Sequence, residues 1–288
     1  MDADLDTLCI AVYCTADDLL PARPANARRR VTDAEVVTLC VAQALMGQPS
    51  DRRFLAAARR QLGHLFPRLP GQAALHKRRH RLAEAIEWLI GVFAERSPGA
   101  GDDLLLLDST PVECGRSVET TRRSALADVA GYGYCRSHSR WFWGMRLHLV
   151  CAPDGTPRAA SLVGADRPER EVALSLLPRA IRGGETIVTD KGYAGLDFER
   201  AVARMGALIV RPARRDEPEH QIRLGQIRQR IESVFQTFKD LLSLERHGAR
   251  TLENLRARIA TRLLALAACV WLNHQLGRPS RSLVAYVA

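Results

Sequence analysis

Leu104-Leu105-Leu106-Leu107-Asp108 and Thr186-Ile187-Val188-Thr189-Asp190 decide how this chain of 288 residues folds. Each is a short apolar or β-branched run that closes on an aspartate. Runs this short, bounded by turn signals, fit strands buried on both faces; a buried helix needs about 10–12 residues. The first run follows Ser97-Pro98-Gly99-Ala100-Gly101, where proline and glycine stop any preceding helix. A domain boundary is therefore predicted there.

Between the two runs, residues 145–150 precede the turn Pro153-Asp154-Gly155, and residues 158–163 follow it. These two segments are predicted to pair as a hairpin. Residues 169–181 read as a helix. Past Asp190 come a helix over 196–205, a strand over 207–210, and long helices over about 224–242 and 252–275. Antiparallel strands first, then alternating strands and helices, make an α/β layout. It is the order of a ribonuclease H-like mixed sheet flanked by helices, and order alone does not fix an activity.

Upstream, residues 1–98 read as an all-helical domain. Thr32-Asp33-Ala34-Glu35 is a capping box ahead of an apolar-periodic run over 36–46. Further helices are predicted over 51–65 and 71–95. The last carries His76-Lys77-Arg78-Arg79-His80-Arg81, the densest basic cluster in the chain. Such a cluster suits phosphate contacts or, equally, a solvated helix face.

Composition points to a polyanionic partner: 42 basic against 32 acidic residues leave a net charge of +10. Nucleic acid or an anionic membrane would both answer. The longest apolar run, 263–272, is far short of the roughly 20 residues a span needs, and Met1-Asp2-Ala3-Asp4 has no signal-peptide character. Seven scattered cysteines without a C-x-x-C pair argue against zinc and a disulfide framework. A cytoplasmic protein with no membrane partner is expected. Of the 42 basic residues only Lys77, Lys191 and Lys239 are lysines, and two of these three fall in the motifs below.

Asp108 and Asp190 each sit where a strand delivers its last side chain to the sheet edge, a common place for ligands in open α/β sheets. A third carboxylate lies in Arg228-Gln229-Arg230-Ile231-Glu232-Ser233-Val234-Phe235-Gln236-Thr237-Phe238-Lys239. At about 100° per residue, Arg228, Glu232 and Lys239 fall within roughly 40° of one another, beside an apolar stripe of Ile231, Phe235, Phe238 and Leu242. A solvated Arg–Glu pair at i, i+4 explains part of this pattern. Three converging carboxylates would instead make an oxygen-rich site for Mg²⁺ or Mn²⁺. Two such ions suit in-line phosphoryl displacement.

With these residues in view, the chain resembles the DDE transposases of bacterial insertion sequences, in the branch with a Y-x2-R-x3-E-x6-K signature. Arg228, Glu232 and Lys239 match in both spacings, while Gly225 stands at the tyrosine position. Asp190-Lys191-Gly192-Tyr193 resembles the second-aspartate block, D-x-G-Y, and Leu107-Asp108-Ser109-Thr110 the first. Gly144-Met145-Arg146-Leu147-His148 with Gly155 resembles the strands between them. Glu35, Arg53-Phe54 and Phe66-Pro67 resemble the helical leader.

The resemblance implies a catalytic domain over 99–288 with Asp108, Asp190 and Glu232 as ligands of two Mg²⁺ or Mn²⁺ ions. Arg228, Lys239, Lys191, Arg230, Lys77, Arg78 and Arg79 are the expected DNA contacts, and 1–98 the expected DNA-end-binding domain. It further implies cleavage at terminal inverted repeats, strand transfer into target DNA, and a homodimer on paired ends. A ribonuclease H-like nuclease without strand transfer shares the triad; a non-catalytic DNA-binding descendant is the other alternative, and it predicts loss of a carboxylate where all three are present.

Residues 111–143 read as an insertion after the first strand. It mixes Arg116, Arg122, Arg123, Arg136 and Arg140 with Tyr132, Tyr134, Trp141 and Phe142. Stacking on unpaired DNA and aromatics tucked beneath a loop are both open, the second favoured for Trp141 and Phe142. His148 is expected to be a packed histidine. Glu113 is near enough to Asp108 to compete as a ligand.

Overall fold

A computed structural model describes residues 4–21, 30–135, 139–213 and 224–287. Its helices begin where the side chains can cap them. Asp4 accepts from the Thr7 amide to open α1 (Leu5–Leu19). At α2 (Asp33–Leu45) the Thr32 hydroxyl accepts from the Glu35 amide and the Glu35 carboxylate accepts from the Thr32 amide, the expected capping box. Ser50 opens α3 (Asp51–Gln61). The predicted helix over 71–95 is two, α4 (Gln72–Arg81) and α5 (Ala83–Glu95). Leu82, at φ −94° and ψ 7°, leaves helical geometry between them. Hydrophobic period does not register a one-residue departure of that kind.

The sheet begins with β1 (Leu104–Gly115), followed by α6 (Val118–Arg123), β2 (Gly131–Cys135), β3 (Arg140–Cys151), β4 (Pro157–Gly164), α7 (Glu169–Leu176), β5 (Thr186–Val188), α8 (Leu196–Arg204) and β6 (Leu208–Val210). Two long helices close the chain, α9 (Gly225–Asp240) and α10 (Leu252–Gln275). β1 pairs antiparallel with β3 and parallel with β5, and β5 pairs parallel with β6. β4 and β2 both pair antiparallel with β3, β4 along Met145–Cys151 and β2 along Arg140–Gly144. The order through β3, β1, β5 and β6, with β4 outside β3, is the ribonuclease H-like mixed sheet.

β1 does not stop at Asp108. It runs on to Gly115, and β3 starts at Arg140, five residues before the predicted strand. Much of the expected insertion is therefore sheet, extended by β2 and preceded by the single short helix α6. Aromatics and arginines on these strands obscured their alternation. Arg136 lies outside the described residues.

The chain divides into two compact units. One comprises Met1–Ser97 with Gln236–Ala249 and Glu253–Ala288; the other comprises Pro98–Phe235 with Arg250–Leu252. The break at Ser97–Pro98 falls where the Pro-Gly stretch points. The end of α9 and nearly all of α10 count with the helical unit, so that unit is not confined to 1–98. The reason is physical: α10 is buried along most of its length, from Asn254 to Asn273. A helix apolar on nearly every side needs neighbours all round. In the sheet unit, Leu105, Leu107, Ile187 and Val150 face α7 and α8, whose Ala173, Leu176, Phe198 and Val202 cover them.

Candidate active site

Register places the first two carboxylates. Leu104 stands opposite Thr186 and Leu106 opposite Val188 on the parallel strands β1 and β5. The pairing ends there; Asp108 lies two residues beyond Leu106 and Asp190 two residues beyond Val188, and the charge of Asp190 acts on Asp108. Asp108 is thus mid-strand, not at a strand end, while Asp190 lies two residues past the end of β5.

Each carboxylate is oriented by backbone. Asp108 Oδ1 accepts from the Ser109 amide at 2.7 Å. Asp190 caps the 3-10 turn Lys191–Tyr193, and its Oδ1 accepts from the Gly192 amide at 2.8 Å. A Cβ on residue 192 would stand 2.9 Å from that same oxygen, so the turn needs glycine there. Tyr193 then drives into the core against Phe198, fully buried, its hydroxyl without a partner among the described residues. The D-x-G-Y block is accordingly a presenting device: the glycine lets the aspartate cap, and the tyrosine anchors the turn.

Asp108 is pushed up to about 7, first by burial and then by the charges of Asp190 and Glu169, against the Ser109 amide and Arg228. Like-charged carboxylates held together this way form an acidic pole partway along β1.

Glu169 is a residue that sequence reasoning passed over. It opens α7, accepts from Ser109 Oγ at 2.6 Å, and pairs with Arg146 at 2.8 Å. Arg146 in turn donates to the Tyr134 carbonyl at 3.2 Å and lies over the Phe142 ring. The available signal was Pro168-Glu169-Arg170-Glu171, acidic residues at a helix start. That motif reads as capping, which is why its place beside Asp108 was not visible.

Glu232 does not join the two aspartates in this geometry. It is 59% exposed on α9 and lies 3.8 Å from Arg228. Among the described residues, no three His, Cys, Asp or Glu side chains stand close enough together to hold a metal ion. Arg228 is within electrostatic reach of Asp108, so the first turns of α9 do lie near the acidic pole. The stripe of Ile231, Phe235, Phe238 and Leu242 is buried as its spacing predicts. Lys191 and Arg230 are exposed; Lys239 is half-buried and counts with the helical unit.

Two expected DNA contacts need correction. Arg79 is only 1% exposed, bonded to Asp51 and Gln43, and cannot reach a phosphate from there. Arg78 pairs with Asp33 and donates to the Val31 carbonyl. Only Lys77 of that trio is exposed. Helix α3 offers the basic face instead: Arg52, Arg53, Arg59 and Arg60 are all exposed. Arg52 with Arg59, and Arg53 with Arg60, are seven residues apart and so share a face, about 10 Å along the axis.

His148 is fully buried, as expected of a packed histidine, with both ring nitrogens unpartnered among the described residues; burial holds it down at about 4. Glu113 pairs with Arg116 and Arg140 and is five residues from Asp108 along β1, so it points to the other face. Phe142 is buried, but Trp141 is 68% exposed, against expectation, edge-on to Tyr134 across β2 and β3.

A model of the transposase DDE domain matches residues 99–268, more than half of the chain and including Asp108, Asp190 and Glu232. The chain belongs to the DDE transposase family. A Sinorhizobium fredii (strain NBRC 101917 / NGR234) protein described as "Putative transposase y4zB" is 28% identical to this transposase chain over 171 residues, 57% of the chain. The match spans 42% of that relative's length. The cryo-EM structure of the piggyBac transposase synaptic complex with hairpin DNA aligns at a TM-score of 0.44 and 10% identity, over 98% of this chain and 83% of that one. In this transposase chain, no helix among the described residues is long and apolar enough to cross a membrane.

Proposed function

We propose that this chain cuts DNA at the terminal inverted repeats of a bacterial insertion sequence and joins the freed ends to target DNA. The observation that carries this reading is the pair Asp108–Asp190, one carboxylate on β1 and one just past the adjacent parallel strand β5, close enough that Asp190 helps push Asp108 up to about 7. Repulsion of that kind is relieved by a divalent cation, and all-oxygen donors favour Mg²⁺ or Mn²⁺ over zinc. Asp108 and Asp190 would fill two of the ligand positions for a pair of such ions, and Glu232 would supply the third on leaving Arg228. Its exposed contact with Arg228 is weak enough to exchange, since such pairs contribute about 0–1 kcal/mol. When bound, the ions activate an attacking oxygen and steady the departing one.

The chain's own residues hold the phosphodiester. Arg228 and Lys191 offer positive charge beside the carboxylates, and Arg230 adds to it; Lys239 and Lys77 are phosphate contacts of the helical unit. In the helical unit, Arg52, Arg53, Arg59 and Arg60 take the phosphate-contacting part assigned from sequence to Arg78 and Arg79. Such contacts position DNA rather than read its bases. Water attacks first and leaves a 3′-hydroxyl; that hydroxyl then attacks a target phosphodiester, so one bond is made for each one broken. Two copies, one on each terminal repeat, make the working complex, which acts in the cytoplasm on the nucleoid.

The test uses end-labelled duplex from the DNA flanking the gene, a plasmid target, and Mg²⁺ or Mn²⁺. Joined products are expected. Asp190→Asn abolishes cleavage while binding to end DNA persists. Hydrolysis without joining makes the chain a nuclease, and cleavage that survives Asp190→Asn removes that residue from the site.

A further inference from the structure

Three buried guanidinium groups cluster in the helical unit, and two of them share one carboxylate. Arg79 on α4 donates to Asp51 at 2.9 and 3.3 Å and to Gln43 at 2.6 Å. Arg258 on α10 donates to the same Asp51 oxygen at 2.8 Å. Arg262, one turn on, donates only to carbonyls: Leu242 at 2.7 Å, Arg258 at 3.0 Å and Ser243 at 3.1 Å. All three arginines are 5% exposed or less, and Asp51 is 8% exposed.

Charge does not balance within this cluster. Three cations face one anion, and the carbonyls just beyond α9 offer Arg262 the equivalent of about half a negative charge. Arg262 is held down to about 9 by burial, then by Arg258 and Arg79, with no acid acting on it. Burial and Arg79 likewise lower Arg258. Buried charge without compensation is costly, so something of opposite sign stabilises this arrangement.

A cavity lies at the cluster. Gln43, Arg79, Arg258, Thr261, Arg262 and Cys40 are among its lining residues, and it has about 10 Å³ of room for a water-sized sphere. Arg258 Nε is buried and has no hydrogen-bond partner among the described residues. This donor is independent of the charge count and belongs to a residue that lines the space. A water would satisfy the donor but leave the charge. Phosphate or sulfate is too large for a space that holds about one water.

We propose that this cavity is a binding site for one small monovalent anion, chloride in ordinary solution, held by Arg258 and Arg79. The anion offsets the excess positive charge and ties α2, α4 and α10 together, so halide stabilises the helical unit.

The test is thermal unfolding of the full chain in sodium chloride against sodium gluconate at equal ionic strength, gluconate being too bulky to enter. Chloride at about ten times its Kd raises the midpoint by roughly 3–6 °C, and the rise saturates. In Arg258→Met the difference between the two salts disappears. If that variant folds poorly, crystals of the native chain grown in bromide give an anomalous peak within hydrogen-bond distance of Arg258 Nε. No chloride–gluconate difference in the native chain, an undiminished difference in Arg258→Met, or no bromide peak at Arg258 overturns the proposal. Chloride dependence that arises only in Cys40→Ala also overturns it, because the Cys40 side chain then occupies the place assigned to the anion.

Discussion

Replacing Asp108 by asparagine should stabilise the metal-free protein, by an amount that grows with pH. Burial beside Asp190 and Glu169 raises Asp108 from 3.8 to about 7. The folded chain therefore holds a proton that the unfolded chain has released, throughout the window between those two values. Stability from this group is fully present below about pH 4 and is lost as pH rises through 7. Each pH unit in the window corresponds to about 1.4 kcal/mol. From pH 5 to pH 8, two units lie inside the window, which makes about 3 kcal/mol, an upper figure because solvent reaches part of the carboxyl. The asparagine variant carries no such term. Urea unfolding of both proteins in EDTA, at pH 5 and pH 8, measures the difference directly. The variant gains on the native chain by up to about 3 kcal/mol across that range, and Mg²⁺ narrows the gap by stabilising only the native chain. A difference that is the same at both pH values would refute the acidic pole, and with it the physical case for a cation there.

Glu232→Gln separates function from stability: strand cleavage is lost while urea stability changes by less than about 0.5 kcal/mol, since the exposed pair with Arg228 contributes little. A folded-state loss of several kcal/mol would mean that the carboxylate is structural. His148→Leu is stabilising by about 1–2 kcal/mol at pH 7, because it removes two unpartnered buried nitrogens. Its folded value of about 4 means that the native chain also loses stability as pH falls from 6.5, and in urea titrations the leucine variant is spared that part of the loss. The double change Arg52→Ala with Arg59→Ala weakens binding to end DNA and to unrelated duplex alike, and lowers the slope of log affinity against log salt by about 2. An unchanged slope in a filter-binding titration removes α3 from the interface.

Much of the fold was legible before any coordinates. Short apolar runs closing on Asp108 and Asp190, the hairpin around Gly155, and the phase of Ile231, Phe235, Phe238 and Leu242 depend on local periodicity, which a linear chain displays. The same reckoning turned Glu232 toward the sheet edge, whereas it lies exposed beside Arg228. What sequence could not show was partnership. Arg78 and Arg79 are adjacent to Lys77 and look alike on paper, yet Arg79 is buried by an aspartate 28 residues away and an arginine on α10. Glu169 read as a helix-capping acid and became a neighbour of Asp108 only when α7 packed on β1. The same holds for the sheet beyond Asp108, whose arginines and aromatics mask alternation until β3 lies alongside.

Sequence by itself determined the order of the main strands and helices and the buried face of α9, because backbone geometry repeats every two or 3.6 residues regardless of what is packed nearby. Tertiary structure alone decided which charges are neutralised and which are left in excess, at Asp108 and around Arg258. Electrostatic energy depends on distance and burial in space, and neither is a function of separation along the chain.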